Sequence, residues 1–459
     1  MRSQDVVDAA LARSQADRAV VIAHEGSTAN LRWAANTLTS NGDMRSREVT
    51  MVSVYDDAQG ARVGVVTRDI AHLDEVDALV AAADAAARDG DPSPDANDFA
   101  SGPDALDWDA AVPQTSAAVF AEFAAQLAEV CAAAAGSDQE LWGYAEHELV
   151  STFVGTSAGR RLRHDQPDGK IEVTGKADHR TRSAWVGRHV PDFGQADPAA
   201  MAEEITQRLA WQAVQVPVPA GRHDVVLSPS AVSDLYLYLF WTASARDAAE
   251  GRTVFGRPGG GTRVGDRLTE VPLTLSSDPE AQGREATPFV VAEASTSVTS
   301  VFDNGLPLSQ TRWIGDGVLE NLLQTRHSAK LTGLPTTPYI DNLALEVAGG
   351  AGSTTDVVSG MDRGLLVNTL WYIREVDPQN LLLTGLTRDG VYVVEGGEVV
   401  GATTNFRFNE SPVDLLSRIS GAGATGSTLP REWNDDFTRM AAPALRFEGF
   451  HMSTVSQAS

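Results

Sequence analysis

The 459-residue sequence predicts an α+β protein in two parts. An N-terminal α+β domain is expected over residues 1–218, followed by a β-rich domain, a barrel or curved sheet, over residues 219–459. Three observations carry this. The length exceeds what one ordinary core serves. Strand-like and helix-like runs are interspersed in the first half, whereas short apolar runs between glycine-containing turns dominate the second. Between the halves, "VPVPAGRHD" puts two prolines and a glycine into one short extended stretch, with Pro217 to Asp224 as the boundary.

Residues 4–15 have the spacing of a short amphipathic helix. "AVVIAHE" and "ANLRWAANT" read as two strands joined through Gly26 and Ser27. "REVTMVSVYDD" and "ARVGVVTRD" read as two more, with a hairpin turn at Gln59-Gly60. "LDEVDALVAAADAAARDGD" is a helix closed by Gly90, and "DPSPDANDFASGPDALDWD" a long loop. "SAAVFAEFAAQLAEVCAAAAG" is a second helix, carrying Cys131. From Leu141 to Val190 short strands alternate with turns at Gly159, Asp168-Gly169 and Asp178, before a third helix, "DPAAMAEEITQRLAWQAV".

In the second half, strand Val225–Leu227 leads into a helix from Ser228 to Gly251. Ser228 offers a hydroxyl cap, Pro229 suits the first helical position, and Gly251 is a natural stop. Leu235 to Trp241 are apolar at every position, so this helix should be enclosed on most sides, Tyr238 and Trp241 included. "LTEVPLTLSSDP", "PFVVAEASTSVTSVFD", "GLLVNTLWYIREVD" and "DGVYVVEGGEVVGATTNFRFN" predict strands.

Hydrophobic residues make up 42% and charged residues 21%, as in soluble globular proteins. No apolar run approaches the length of a membrane span, and the N-terminus lacks the apolar core of an export signal. One cysteine excludes an internal disulfide and fits a reducing, cytoplasmic location. A net charge of -26 argues against binding a nucleic-acid backbone.

Chemical motifs are sparse. "HEGSTA" at His24 and "HELVST" at His147 each lack the second histidine that a zinc helix needs, and both read as strand residues with one wet face. Cys131, among alanines with no neighbouring cation, reads as a small hydrophobe. No G-x-S-x-G nucleophile elbow occurs. The loop from Gly256 to Asp266 carries or adjoins Arg252, Arg257, Arg263 and Arg267. It lacks the end of a phosphate-binding loop and reads either as a flexible loop over a groove or as an anion site. Asp303-Asn304-Gly305 and Gly315-Asp316-Gly317 form tight turns. Asp303, Asn304, Arg326 and His327 read either as parts of these turns or as residues lining a cleft, and the residues alone leave both open.

The order of "HDVVLSPSAVSDLYLYLF", "GDRLTEVPLTLSSDP", "VFDNGLPLSQTRWIGDGVLENLLQTRHSA" and "GVYVVEGGEVVGATTNFRFNESPVDLLSRI" resembles the TldD/PmbA family, also described as modulators of DNA gyrase. "LRWAANT" and "LWGYAEHELVSTFVGTSAGR" extend the resemblance over nearly the whole chain. One branch of that family carries a His-Glu-x-x-x-His zinc helix after the first strand of its C-terminal domain, and a later cysteine ligand. The TldE (PmbA) branch carries neither. Here the corresponding helix reads "LYLYLFWTASARDAAEG", and Cys131 lies in the other domain.

The resemblance therefore implies a metal-free subunit of a cytoplasmic metalloprotease complex. A TldD-like partner would supply the zinc, and the substrates would be unfolded or extended peptides. When alone, the chain would form a homodimer through the surface that otherwise docks that partner. No family catalytic, cofactor or metal residue carries over. Two other readings stand beside it: a self-sufficient hydrolase using His147, Glu148 and His327, and an interaction or adaptor protein.

Overall fold

A computed structural model describes residues 2–456. Strands β1 (Arg18–Ala34), β2 (Thr37–Asp57), β3 (Gly60–Asp69), β4 (Gln139–Thr156), β5 (Arg161–Ala177) and β6 (Arg182–His189) form one antiparallel sheet, in the order β3-β2-β1-β4-β5-β6. Side chains alternate between its faces. Helices α1 (Ser3–Arg13), α2 (Val76–Asp89), α3 (Ala121–Gly136) and α4 (Pro198–Trp211) cover one face. There Val21, Ala23 and Phe153 pack under α1 and α2, and Leu31, Ala145 and Ile171 under α3 and α4. The opposite face meets the second half of the chain through Val20, Ile22 and Val154 against Phe289 and Phe302.

The strands are longer than the sequence suggests, because two glycines taken as turns serve close approach instead. β1 runs unbroken through Gly26, where a Cβ would come within 2.7 Å of the Ser46 hydroxyl on β2. Gly169 lies inside β5, where a Cβ would meet the Val190 carbonyl at 2.2 Å. The chain reverses at Ala35-Asn36 instead, both left-handed (φ 48° and 63°), as a tight two-residue hairpin requires. β3 pairs only with Glu48–Asp57, so among the described strands Thr37–Ser46 of β2 has a neighbour on one side only. Contrary to the sequence expectation, Ala117–Gly136 is long and apolar enough to cross a membrane by length and composition. In this fold it lies along the sheet, burying Phe123, Leu127, Cys131 and Ala134.

Past the link comes β7 (Gly221–Leu227), then α5 (Pro229–Trp241), α6 (Ala245–Ala249), β8 (Leu273–Ser277), β9 (Thr311–Gly315) and β10 (Val318–Leu319). Next are α7 (Arg326–Thr332), β11 (Leu343–Val347), α8 (Thr354–Ser359), β12 (Arg363–Asp377), β13 (Leu382–Glu395), β14 (Glu398–Thr403) and β15 (Phe406–Glu410). The chain closes with α9 (Pro412–Leu416), β16 (Ile419–Ala422), β17 (Gly426–Thr428), β18 (Met440–Ala442) and β19 (Leu445–Val455). Strands β12-β7-β19-β15-β13 close into a barrel through the β12–β13 pairing, and a curled sheet runs β10-β9-β8-β11-β18-β17. The fold is α+β with strands predominant.

Helix α5 lies in the core shared by the barrel and the curled sheet. It starts as expected, with the Ser228 hydroxyl accepting from the Ala231 amide and Pro229 following. It stops ten residues early. The Thr242 hydroxyl bonds back to the Tyr238 and Leu239 carbonyls, and the backbone of Ala243 and Ala245 pairs with Leu323 instead of continuing the helix. "PFVVAEASTSVTSVFD" forms no strand. The Asn304 side chain takes the amide and carbonyl of Ala292 and the carbonyl of Val301, which a ladder would otherwise use.

Candidate functional site

The face of the large sheet not covered by helices forms one wall of a groove whose other wall comes from the second half. It consists of two adjoining cavities of about 430 and 310 Å³ that share His24, Thr287 and Asp341. The sheet wall follows from the period-two alternation of β4, which turns Glu146, Glu148, Val150 and Thr152 toward the groove and His147 away from it.

Asp168 of β5 is the hub of the charged wall. It accepts from His189 Nε2 at 3.0 Å, from the Thr438 hydroxyl at 2.6 Å and from Arg439 Nη1 at 2.5 Å. Burial works against its ionisation, but the His189 bond and the Arg439 charge hold its carboxyl below the usual range. Arg439 also pairs with Asp341, to which the Tyr339 hydroxyl donates at 3.3 Å. Burial outweighs Arg439 there and pushes the Asp341 carboxyl up. Glu148 sits directly opposite Asp168 in the β4–β5 register. Burial first, then the like charges of Glu146 and Asp168, raises its pKa. His24 joins the Thr152 hydroxyl at 2.9 Å and the Glu293 carboxylate at 3.0 Å, which fixes the imidazole between the two halves. Lys170 reaches the carbonyl and side chain of Asn434, at 3.1 and 3.0 Å, and the Asp435 carboxylate.

The residues singled out from sequence are scattered. Asp303 lies on the floor of the groove but is 2% exposed, with both oxygens taken by Arg326, through its amide at 3.0 Å and its Nε at 2.7 Å. Asn304 is wholly buried in backbone bonds, and Arg326 and His327 open α7 without lining either cavity. The hydrolase trio does not assemble. His147 faces the helices, bonded to Thr115 Oγ1 at 2.7 Å and the Pro191 carbonyl at 3.2 Å, while Glu148 faces the groove. The glycine loop lines neither cavity, and its arginines are paired: Arg252 with Asp247, Arg257 and Arg263 with Asp266, Arg267 with Glu270.

Sequence reasoning missed Asp168, Asp341 and Arg439 because nothing local links them. Glu146 and Glu148 were legible as a period-two acidic stripe once β4 is taken as one strand. Among the described residues, no three of His, Cys, Asp and Glu are placed to hold a metal ion. The groove offers carboxylates, hydroxyls and a fixed imidazole, a lining that can hold a polar extended chain by hydrogen bonds.

A family model described as the PmbA/TldA metallopeptidase C-terminal domain matches residues 220–454, and one described as the central domain of the same proteins matches residues 114–213. The fold is similar to that of TldE from Thermococcus kodakarensis, with a TM-score of 0.77 at 15% identity over 98% of this chain and 99% of that one. It is also similar to a proposed modulator of a DNA gyrase from Thermotoga maritima MSB8, with a TM-score of 0.76 at 14% identity over 98% and 100% of the two chains. A proposed modulator of DNA gyrase from Bacteroides thetaiotaomicron VPI-5482 gives a TM-score of 0.73 at 14% identity over 98% and 97%. At such identities the likeness speaks for the fold alone. No curated protein sequence matches the chain.

Proposed function

Because the chain belongs to the PmbA/TldD metallopeptidase family, we propose that it is a TldE-type subunit that binds extended peptide and leaves the metal to a zinc-bearing relative. The observation that carries this reading is α5. Where the resemblance puts a zinc helix, Leu235, Tyr236, Leu237, Leu239 and Phe240 are each at most 2% exposed in an apolar core. A catalytic zinc site needs three protein ligands and an open position. The residues around α5 do not fit that group.

In this reading the groove is the working surface. Glu146 and Glu148 on the sheet wall and Tyr339 and Asp341 opposite would take the amides and side chains of an extended chain, with Asp168 holding the wall together behind them. A partner of the same architecture would pair with this chain through equivalent surfaces.

Co-expression with a tagged TldD-like protein tests it, followed by size-exclusion chromatography and cleavage of an unstructured peptide. Chelator-sensitive cleavage is expected with both chains together and none with this chain alone. Cleavage by this chain unaided, or failure of the two to co-elute, overturns the reading.

A further inference from the structure

A third cavity, of about 540 Å³, lies on the same face of the sheet but at the far end of β5, where the β5–β6 hairpin meets β13 and β14. Its volume is within the range of about 300–1,000 Å³ of small-molecule sites. Its lining reverses the character of the groove. Lys176, Arg180, Arg388 and Arg431 face it with a single carboxylate, Asp389, 3.6 Å from Arg388, among hydroxyls such as Thr174, Thr181 and Thr403. The carboxylates that balance Arg180 and Arg431, Glu140 and Glu172, are not part of the lining. In a chain of net charge -26, such a concentration of cations in one cavity calls for an explanation.

The cations are held in place. Arg431 lies between two indoles, 4.9 Å from the Trp185 ring and 4.8 Å from the Trp371 ring, and Arg388 stacks on Trp371 at 5.0 Å. Arg180 and Lys176 lie over the Trp142 ring at 5.2 and 5.7 Å. Stacking holds each cation over its ring; Arg180 donates from Nε and Nη2 to Glu140 and Arg431 from Nη1 to Glu172, so Arg180 turns its Nη1 to a ligand. Both walls also use backbone conformations uncommon for residues with side chains. Asp178, His179 and Arg180 are left-handed in succession (φ 52°, 54° and 69°), and Asp389 is left-handed opposite them (φ 52°). The Ser183 hydroxyl donates to Asp389 at 2.9 Å, so a built contact joins the two walls.

We propose that this cavity binds a small phosphorylated molecule, with Lys176 and Arg180 from one half of the chain and Arg388 from the other on its phosphate oxygens. Cations on two walls need an anion with more than one oxygen edge. A phosphate group offers three terminal oxygens and up to two charges, against two oxygens and one charge for a carboxylate. The remaining volume accommodates an organic body. Because the ligand would touch both halves, binding should raise the melting temperature of the whole chain.

Isothermal titration of the full chain with pyrophosphate, ADP and citrate tests this. One equivalent of pyrophosphate or ADP is expected to bind, with citrate weaker and a rise in melting temperature at saturation. Lys176→Gln/Arg180→Gln on the β5–β6 hairpin, and separately Arg388→Gln, should each weaken binding by at least about tenfold. Their unliganded melting temperatures serve as the folding control. Absence of saturable phosphate binding at millimolar concentration, citrate binding as tightly as pyrophosphate, or binding unchanged in both folded variants would overturn the proposal.

Discussion

Glu148 and Asp168 oppose one another across the β4–β5 ladder, an arrangement of like charges that a sheet does not favour. Asp168 has His189, Thr438 and Arg439 to hold its charge, whereas Glu148 has one hydroxyl, Thr28 Oγ1 at 3.3 Å. An acid whose folded-state pKa lies above its ordinary value of 4.5 binds its proton more tightly when folded. It therefore subtracts stability as pH rises from 4.5 through the raised value, and subtracts nothing below that window. Glu148→Gln should melt higher than the parent at about pH 7.5, the gain shrinking toward pH 4.5. Melting curves across that range decide it, and a gain that grew on acidification would contradict the assignment. None of this was legible residue by residue. The partners of Asp168 lie 21 to 271 positions away in the chain, beyond any local pattern.

Helices with sharp end signals were legible. Asp197-Pro198 opens α4 and Ser228-Pro229 opens α5, each with the cap bond its sequence suggests. Element length was harder, because a glycine reads the same whether it bends the chain or makes room for a neighbour. Gly26 and Gly169 do the second. Within α5 an all-apolar run hid which residues face inward. Phe240 is wholly buried against Trp313 and Tyr339, while Tyr238 and Trp241 are half-buried against Trp433, at 5.8 and 5.3 Å. Phe240→Ala should thus cost about 3–5 kcal/mol through lost burial and the cavity left behind, and Tyr238→Ala distinctly less. Urea denaturation of both variants measures the difference, and equal losses would place the two side chains in the same environment.

Across the whole molecule, the segment from Leu429 to Arg439 fastens the two halves. Arg431 pairs with Glu172 at 2.8 Å, Lys170 binds Asn434 and Asp435, and Arg439 binds Asp168. Arg431→Ala removes a largely buried ion pair and both indole contacts, and should cost about 3 kcal/mol. A change in unfolding free energy below about 0.5 kcal/mol would mean that the seam does not depend on it. The α+β class and the order of its parts were legible because composition and periodicity are summed over long windows. The groove was not, since it exists only where two distant surfaces meet. A strand edge with unpaired amides is a template for a strand from another molecule, and among the described strands Thr37–Ser46 of the half-open β2 is such an edge. It is occupied mainly by Thr, Ser, Asn, Gly, Asp and Arg, with Leu38 and Met44 the large apolar side chains exposed along it. Resistance to aggregation in a crowded solution therefore depends on a handful of polar side chains in one hairpin, at positions where the folded monomer makes little use of them.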